Sequence, residues 1–231
     1  MNDKIIGILG GMGPEASAAF YIDIIKSTKV TKDQDHFRII IDSNSKIPDR
    51  TRSILYGEQS PLPMIIKTAQ GLESMGATQI CIPCITSHYF YDEVAKSVNV
   101  EVVNFIQVLE KHIEEIVGKG LKIGVICTTG TMRMKLFDKY IKSSEIMYPN
   151  DNDQKNLVME AIYGDEGIKS GYTKGKPIDL LNQVIENLEN NGAKIIIAGC
   201  TEIGLVKDKL RSNIAILDPM EVVAKWIVKE E

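Results

Sequence analysis

Two short stretches carry the residues best suited to chemistry. Gln79–Thr86 (QICIPCIT) and Ile195–Glu202 (IIIAGCTE) each lead from an apolar, β-branched run into a cysteine, Cys84 or Cys200, with a threonine close behind, Thr86 or Thr201. The apolar run reads as a buried strand, and the residues after each cysteine read as the start of a helix. A thiol at that junction lies near free backbone N–H groups and the positive end of a helix dipole, which favour thiolate. A single cysteine there is commonly a small hydrophobe closing a strand. Two at equivalent positions support another reading. If the halves of the chain are related by a pseudo-twofold axis, the thiols face each other across a cleft. One thiolate then removes a proton from a carbon while the other thiol protonates its far face, which is what inversion of a stereocentre requires.

The equivalence of the two cysteines rests on an internal repeat. Lys4–Leu9 (KIIGIL) with Gly10-Gly11 is matched by Leu121–Ile126 (LKIGVI) with Cys127-Thr128-Thr129-Gly130. Gly7 and Gly124 are 117 positions apart, and Cys84 and Cys200 are 116 apart. Two independent matches at nearly one offset argue for a duplicated unit of roughly 110–120 residues.

The elements that must position these residues alternate along the chain. Strands are expected at Lys4–Leu9, Phe37–Asp42, Gln79–Pro83 and Glu101–Asn104. Helices are expected from Pro14 to Lys26, from Pro61 to near Gly76, at Ser87–Ser97 and at Ile106–Val117, with a polar loop over Ser43–Ser53. Near-continuous apolar strands separated by helices imply parallel sheets covered on both faces, with sites at the carboxyl ends of the strands. The fold expected is α/β: two similar domains, each a parallel four-stranded sheet flanked by helices, related by pseudo-twofold symmetry. Residues 1–105 with 213–231 form the first domain and residues 106–212 the second. The strand Asn213–Leu217 and the helix after Pro219 are expected to return to the first domain. The cleft between the two sulfurs is expected to have room for one small substrate molecule.

Composition narrows the function classes. The chain has 231 residues, 44% hydrophobic and 25% charged, with a formal charge of −4. It shows no long Lys/Arg run, so no nucleic-acid footprint is visible. No stretch approaches the ~20 apolar residues of a membrane span, and the N-terminus does not read as a signal peptide. A cytoplasmic protein with no membrane or nucleic-acid partner is expected. In that setting Cys81, Cys84, Cys127 and Cys200 are not expected to form disulfides.

Several segments together resemble the aspartate/glutamate racemases. Ile5–Ser17 (IIGILGGMGPEAS) is similar to the family's N-terminal signature, Lys46–Thr51 (KIPDRT) to its loop after the second strand, and Cys84–Phe90 (CITSHYF) to its first cysteine motif. Thr128–Thr131 (TTGT) and Gly199–Ile203 (GCTEI) resemble its second-half signatures. The resemblance implies two α/β domains, a cleft holding Cys84 and Cys200 as catalytic bases, an amino-acid substrate, no cofactor, no metal, and a homodimer. It implies that Cys200 acts on the L-enantiomer and Cys84 on the D-enantiomer. Substrate-binding roles follow for Arg50, whose guanidinium can grip a side-chain carboxylate bidentately, and for Lys169 near the cleft. Thr86 and Thr201 offer hydroxyls beside the thiols, Thr129 and Thr131 offer a seat for the α-carboxylate, and Met12 lines the pocket through its backbone. One departure bears on substrate: the family usually has Asn directly after the first cysteine, and here that residue is Ile85.

Other readings compete. Gly11–Ala16 (GMGPEA) fits a dinucleotide-binding turn, with Asp42 as the ribose acid, which would make the chain a nucleotide-dependent oxidoreductase. Asp42 lies further along than the usual ~20 residues, and this reading leaves the paired cysteines unexplained. Cys81-Ile82-Pro83-Cys84 is a C-x-x-C, but no second such pair or ligand-spaced His pair accompanies it. Alternate residues of a strand face opposite ways, so Cys81 reads as core. His88 reads as a cap or packing residue, against the alternative that it orients the loop or the substrate, and Cys127 reads as buried, against a place near the cleft. A two-lobed protein that binds an amino acid without turnover would also fit the elements.

Overall fold

β1 (Ile5–Gly10) is an apolar strand buried over nearly its whole length, and α1 (Pro14–Ser27) follows with proline in its first turn, where the missing N–H has no helical partner to lose. The first lobe continues through β2 (Arg38–Ser43), α2 (Arg50–Tyr56), α3 (Leu62–Ser74), β3 (Gln79–Cys81), α4 (Tyr91–Lys96) and β4 (Glu101–Val102). Helix α5 (Phe105–Ile116) leads to β5 (Lys122–Ile126), α6 (Thr129–Arg133), α7 (Leu136–Tyr140) and β6 (Glu145–Met147). Then come α8 (Asp151–Asp153), α9 (Met159–Tyr163), α10 (Lys176–Asn190), β7 (Ile195–Ala198), α11 (Thr201–Gly204), β8 (Ala215–Leu217) and α12 (Pro219–Ile227). The computed structural model describes residues 4–116 and 118–229. Val117, the expected end of the helix from Ile106, and the outermost residues of the expected first domain, Met1–Asp3 and Glu230–Glu231, lie outside the described residues.

The strands form two four-stranded sheets, β2-β1-β3-β4 and β6-β5-β7-β8, parallel throughout. Strand order is the same in both. In each sheet the chain moves outward in one direction from the first strand and then in the other, so the loops after β1 and β3, and after β5 and β7, splay apart. That crevice is where α/β sheets place ligands. The repeat holds at the level of register. Gly7 is paired with Ile80 across β1 and β3, and Gly124 with Ile196 across β5 and β7. Cys84 and Cys200 each lie four residues beyond that shared point.

Two boundaries differ from expectation. The segment from Asn213 does not return whole to the first lobe: β8 pairs with β7 in the second sheet, and only α12 packs back on α1 and α5. The apolar strand finds an open sheet edge beside β7, whereas the helix has an apolar face to bury. The expected loop Ser43–Ser53 also gives way at Arg50 to α2, because the Asp49 carboxylate accepts the Arg52 N–H at 2.8 Å and caps a helix there.

The lobes are not independent in packing. The largest apolar cluster joins Ile6 and Phe20 of the first lobe to Ile123, Val125 and Ile197 of the second, through Phe105 and Leu109 of α5 and Val223 and Ile227 of α12. Two further clusters are lobe-specific. One gathers Leu9, Ile65 and Ile80 with Cys84, and the other gathers Ile126, Leu181 and Ile196 with Cys200.

Candidate active site

Cys84 directly precedes a 3-10 turn, Ile85–Phe90, and Cys200 precedes α11. Both are buried, and both line one small cavity between the lobes together with Met12, Arg50, Thr51, Ile85, Thr86, Thr128, Tyr163, Lys169, Thr201 and Glu202. Eight of the ten sequence-predicted site residues, the two cysteines and six others, therefore line one cavity, while Thr129 and Thr131 need separate description.

The first loop is brought in by a glycine. Gly11 has φ of +90°, and a Cβ there would stand 2.3 Å from the backbone of Asn44. Only glycine permits this approach. It sets Met12 against the start of α2, where the Met12 carbonyl accepts from Arg50 Nη2 at 3.3 Å. Arg50 Nη1 donates to the carbonyls of Pro48 at 2.9 Å and Ile47 at 3.4 Å. Nε is buried and has no hydrogen-bond acceptor among the described residues. Burial works against the guanidinium's charge, but the neighbouring Cys84 sulfur, Asp49 and Tyr163 outweigh it and raise the Arg50 pKa.

His88 fixes the Cys84 backbone. The Phe105 N–H donates to His88 Nε2 at 3.1 Å, so Nε2 carries the lone pair and Nδ1 carries the proton. Nδ1 lies 3.1 Å from the Cys84 carbonyl, to which it donates. Burial pushes the imidazole pKa down to about 4, so near neutrality His88 is an uncharged clip between the cysteine loop and α5.

Around Cys200 the polar groups are denser. Its thiol donates to Glu202 Oε2 at 2.9 Å, and the Thr201 hydroxyl donates to the same oxygen at 3.1 Å. Glu202 Oε1 is ion-paired with Lys169, which also lies over the Tyr163 ring. Burial pushes the Glu202 carboxyl up, but the Lys169 charge and the hydrogen bonds from Cys200 and Lys169 prevail and hold it below its usual range. Burial and the adjacent Glu202 carboxylate raise the Cys200 pKa well above its usual value, against the pull of Lys169. Lys169 is thus at the cleft, as expected, with its charge already engaged.

A hydroxyl triangle crosses between the lobes. Thr86 Oγ1 lies 3.0 Å from Thr128 Oγ1 and 3.0 Å from Thr131 Oγ1, and Thr128 and Thr131 are 3.2 Å apart. Thr129, expected beside Thr131, is turned away. Its hydroxyl accepts from Gln154 Nε2 at 3.2 Å, and it lines a separate groove. Thr128 holds the position instead, because as N-cap of α6 its side chain turns inward to accept the Thr131 N–H. Thr128, Tyr163 and Glu202 were not singled out in the sequence. Glu202 sits within GCTEI and Thr128 within TTGT, so their motifs pointed to them; Tyr163 carried no signal.

The cavity itself measures about 10 Å³, the space of one water molecule. It does not have the expected room for an amino acid. Polar groups of the two lobes satisfy one another across it, through the threonine triangle and the Tyr163 hydroxyl donating to Asp49 Oδ2 at 3.3 Å, and this draws the walls together. Larger spaces flank it. A cavity of about 280 Å³ over Gly11–Ala16 shares Arg50, Lys169 and Glu202 with it, and an apolar groove of about 520 Å³ shares Thr51 and Tyr163.

The rival motifs take other places. A Cβ on Gly13 would stand 3.6 Å from Glu202 Oε1. The N-terminus of α1, where a dinucleotide pyrophosphate would have to lie, therefore already faces a carboxylate. Cys81 belongs to the cluster shared between the lobes and Cys84 to the first lobe's own. Burial raises the pKa of both Cys81 and Cys127.

The fold has counterparts among known proteins. The model of the Asp/Glu/Hydantoin racemase family matches residues 9–227, and the chain belongs to that family. Over 231 residues, 97% of this chain and 96% of the relative, it is 28% identical to the broad specificity amino-acid racemase RacX of Bacillus subtilis (strain 168). The Picrophilus torridus aspartate racemase structure is similar with a TM-score of 0.81 and 26% identity, over 98% of this chain and 93% of that one. A glutamate racemase from Francisella tularensis, solved with D-glutamate, shares the fold with a TM-score of 0.68 and 18% identity, over 98% of this chain and 80% of that one. Among the described residues no helix is long and apolar enough to cross a membrane.

Proposed function

We propose that this protein racemises an amino acid, aspartate or glutamate foremost, by two-base proton transfer between Cys84, Cys200 and the substrate α-carbon, without a cofactor. The observation that carries this is the shared cavity: two buried thiols from register-equivalent strand ends line it from opposite lobes. One thiolate takes the α-proton, the other thiol protonates the opposite face, and the substrate leaves inverted. The substrate enters as the lobes part, taking over the polar groups that otherwise satisfy each other. Thr86, Thr128 and Thr131 supply hydroxyl donors for the α-carboxylate. Arg50 offers its unused Nε to a side-chain carboxylate, in a buried setting where a charged hydrogen bond is strong.

A broader substrate range has its own support. Ile85 puts an apolar wall on the cavity where an amide is usual, an apolar groove adjoins it, and one relative is a broad specificity racemase. Incubation with a panel of L-amino acids in D₂O, read for both chirality and α-deuterium, tests both forms. Racemisation with deuterium incorporation is expected, first with aspartate or glutamate. Binding without exchange would leave an amino-acid-binding protein and end the racemase reading.

A further inference from the structure

Cys200 and Cys84 are not in like surroundings. Cys84 has the Arg50 cation beside it, whereas Cys200 donates its proton to a carboxylate, Glu202, that is only 5% exposed. A thiol against a carboxylate cannot release its proton to leave two adjacent negative charges in a buried site. We propose that Cys200 and Glu202 form a dyad that holds one proton between them, with Lys169 as the counter-ion for its single negative charge. On this assignment Lys169 serves the dyad and not the substrate.

The geometry carries the assignment. Glu202 Oε2 receives the Cys200 S–H at 2.9 Å and the Thr201 O–H at 3.1 Å, while Oε1 pairs with Lys169. The step moves one proton: the S–H bond of Cys200 breaks, an O–H bond forms on Oε2, and the electron pair stays on sulfur. Lys169 then balances the thiolate as it had balanced the carboxylate. The groups facing Cys200 are Glu202 from its own helix, Lys169 from the turn at Ile168–Ser170, Tyr163 from α9, and Cys84 with Arg50 from the first lobe. Of these, Lys169 and Glu202 dominate the charge at the sulfur after burial itself. Glu202 is therefore a positioning and proton-holding residue that acts through Cys200.

The proposal rests on the two-thiol reading, but its test does not need turnover. The substrate-free protein is alkylated with iodoacetamide across a pH series, and the Cys200 and Cys84 peptides are followed separately by mass spectrometry. The pH midpoint reports ionisation, whereas the overall rate reports opening of the cavity. In Glu202→Gln the Cys200 midpoint is expected to fall by about one pH unit or more, since Lys169 then faces the thiol alone. In Lys169→Met it is expected to rise. A Cys200 midpoint that is unchanged or higher in Glu202→Gln overturns the dyad. If Glu202→Gln does not fold, Lys169→Met decides: a rise supports the dyad and an unchanged or lower midpoint overturns it. Kinetics then separate the two roles of Lys169. Lys169→Met should lower kcat at least tenfold with KM within about twofold; a raised KM with unchanged kcat returns Lys169 to the substrate and overturns its part in the dyad. Absence of racemase activity in the wild type would remove the function proposed above while leaving the alkylation result to stand.

Discussion

The hydroxyl of Thr86 in the first lobe and that of Thr128 in the second lie 3.0 Å apart, and Thr131 closes the triangle. Three donors gathered around a common centre suit a carboxylate, which accepts from several hydroxyls at once. Thr131→Val is expected to raise KM about tenfold, the worth of one hydrogen bond to a charged group, with little change in thermal stability. Thr128→Val should do the same and also lower the Tm, because it removes the α6 cap worth about 1 kcal/mol. Steady-state kinetics and thermal melts on the two variants check this. Unchanged KM in both would take the triangle out of substrate binding.

The lobes also come close where Gly130 faces α2. A Cβ on Gly130 would stand 3.1 Å from Thr51 Oγ1 and 3.2 Å from Thr51 Cα. Gly130→Ala must push α6 away from α2, an overpacking that costs about 1–3 kcal/mol. The expected outcome is a cavity that opens more readily, seen as faster alkylation of both Cys84 and Cys200 at fixed pH. Slower or unchanged alkylation would mean that access runs elsewhere.

Replacement of either thiol tests the proton path. Cys84→Ala and Cys200→Ala should each abolish racemisation while keeping a trace of α-proton exchange for one enantiomer. Cys84→Ala should exchange the L-substrate and Cys200→Ala the D-substrate, read as deuterium in unreacted amino acid. If Cys84→Ala still interconverts both enantiomers near the wild-type rate, Cys84 is not a base.

Arg50 is held by three backbone carbonyls, from Ile47, Pro48 and Met12, and keeps Nε unused. Arg50→Lys preserves charge but loses the planar fork. It should raise KM for acidic amino acids by tenfold or more and affect any neutral substrates less. Equal losses across both classes, measured on the same panel, would show that Arg50 supports the loop and not the side-chain carboxylate.

The fold and the cysteines were legible because repetition is a long-range signal. Gly7 with Gly124 and Cys84 with Cys200 carried the same offset, and that offset survives as strand register. Local chemistry was harder to read. Thr128 and Thr129 are neighbours of one type, and only the cap geometry of α6 decides which faces the cavity. Glu202 lay inside the GCTEI motif, but its burial was not legible there: a carboxylate in the first turn of a helix is ordinarily solvent-facing, and here Lys169 and Gly13 close over it. The place of β8 depended on which sheet edge was open, a tertiary fact. The closed cavity depended on pairings between lobes, which no local pattern encodes.

Two buried titratable groups set opposing trends in stability with pH. His88 has its pKa lowered from 6.5 to about 4 by burial, so the unfolded chain binds more protons in that window. Its contribution is complete above pH 6.5 and is lost as pH falls toward 4. Asp218, the N-cap of α12, has its pKa raised from 3.8 to about 7 by burial, aided by Glu221 and Asp23. The folded chain then binds more protons, so its contribution is complete below 3.8 and is lost as pH rises toward 7. Each is worth on the order of a few kcal/mol, and the slopes have opposite sign. Between about pH 4 and 6.5 they offset each other in the wild type. Asp218→Asn keeps a capping side chain but removes the buried acid, so it should stabilise the protein at pH 7 and expose a steep loss of stability on acidification. His88→Gln should do the reverse, leaving stability that falls as pH rises from 4 to 7. Denaturant melts of the three proteins at pH 4.5, 5.5 and 7 separate these slopes, and parallel pH profiles for wild type and both variants would show that neither group titrates as its burial requires.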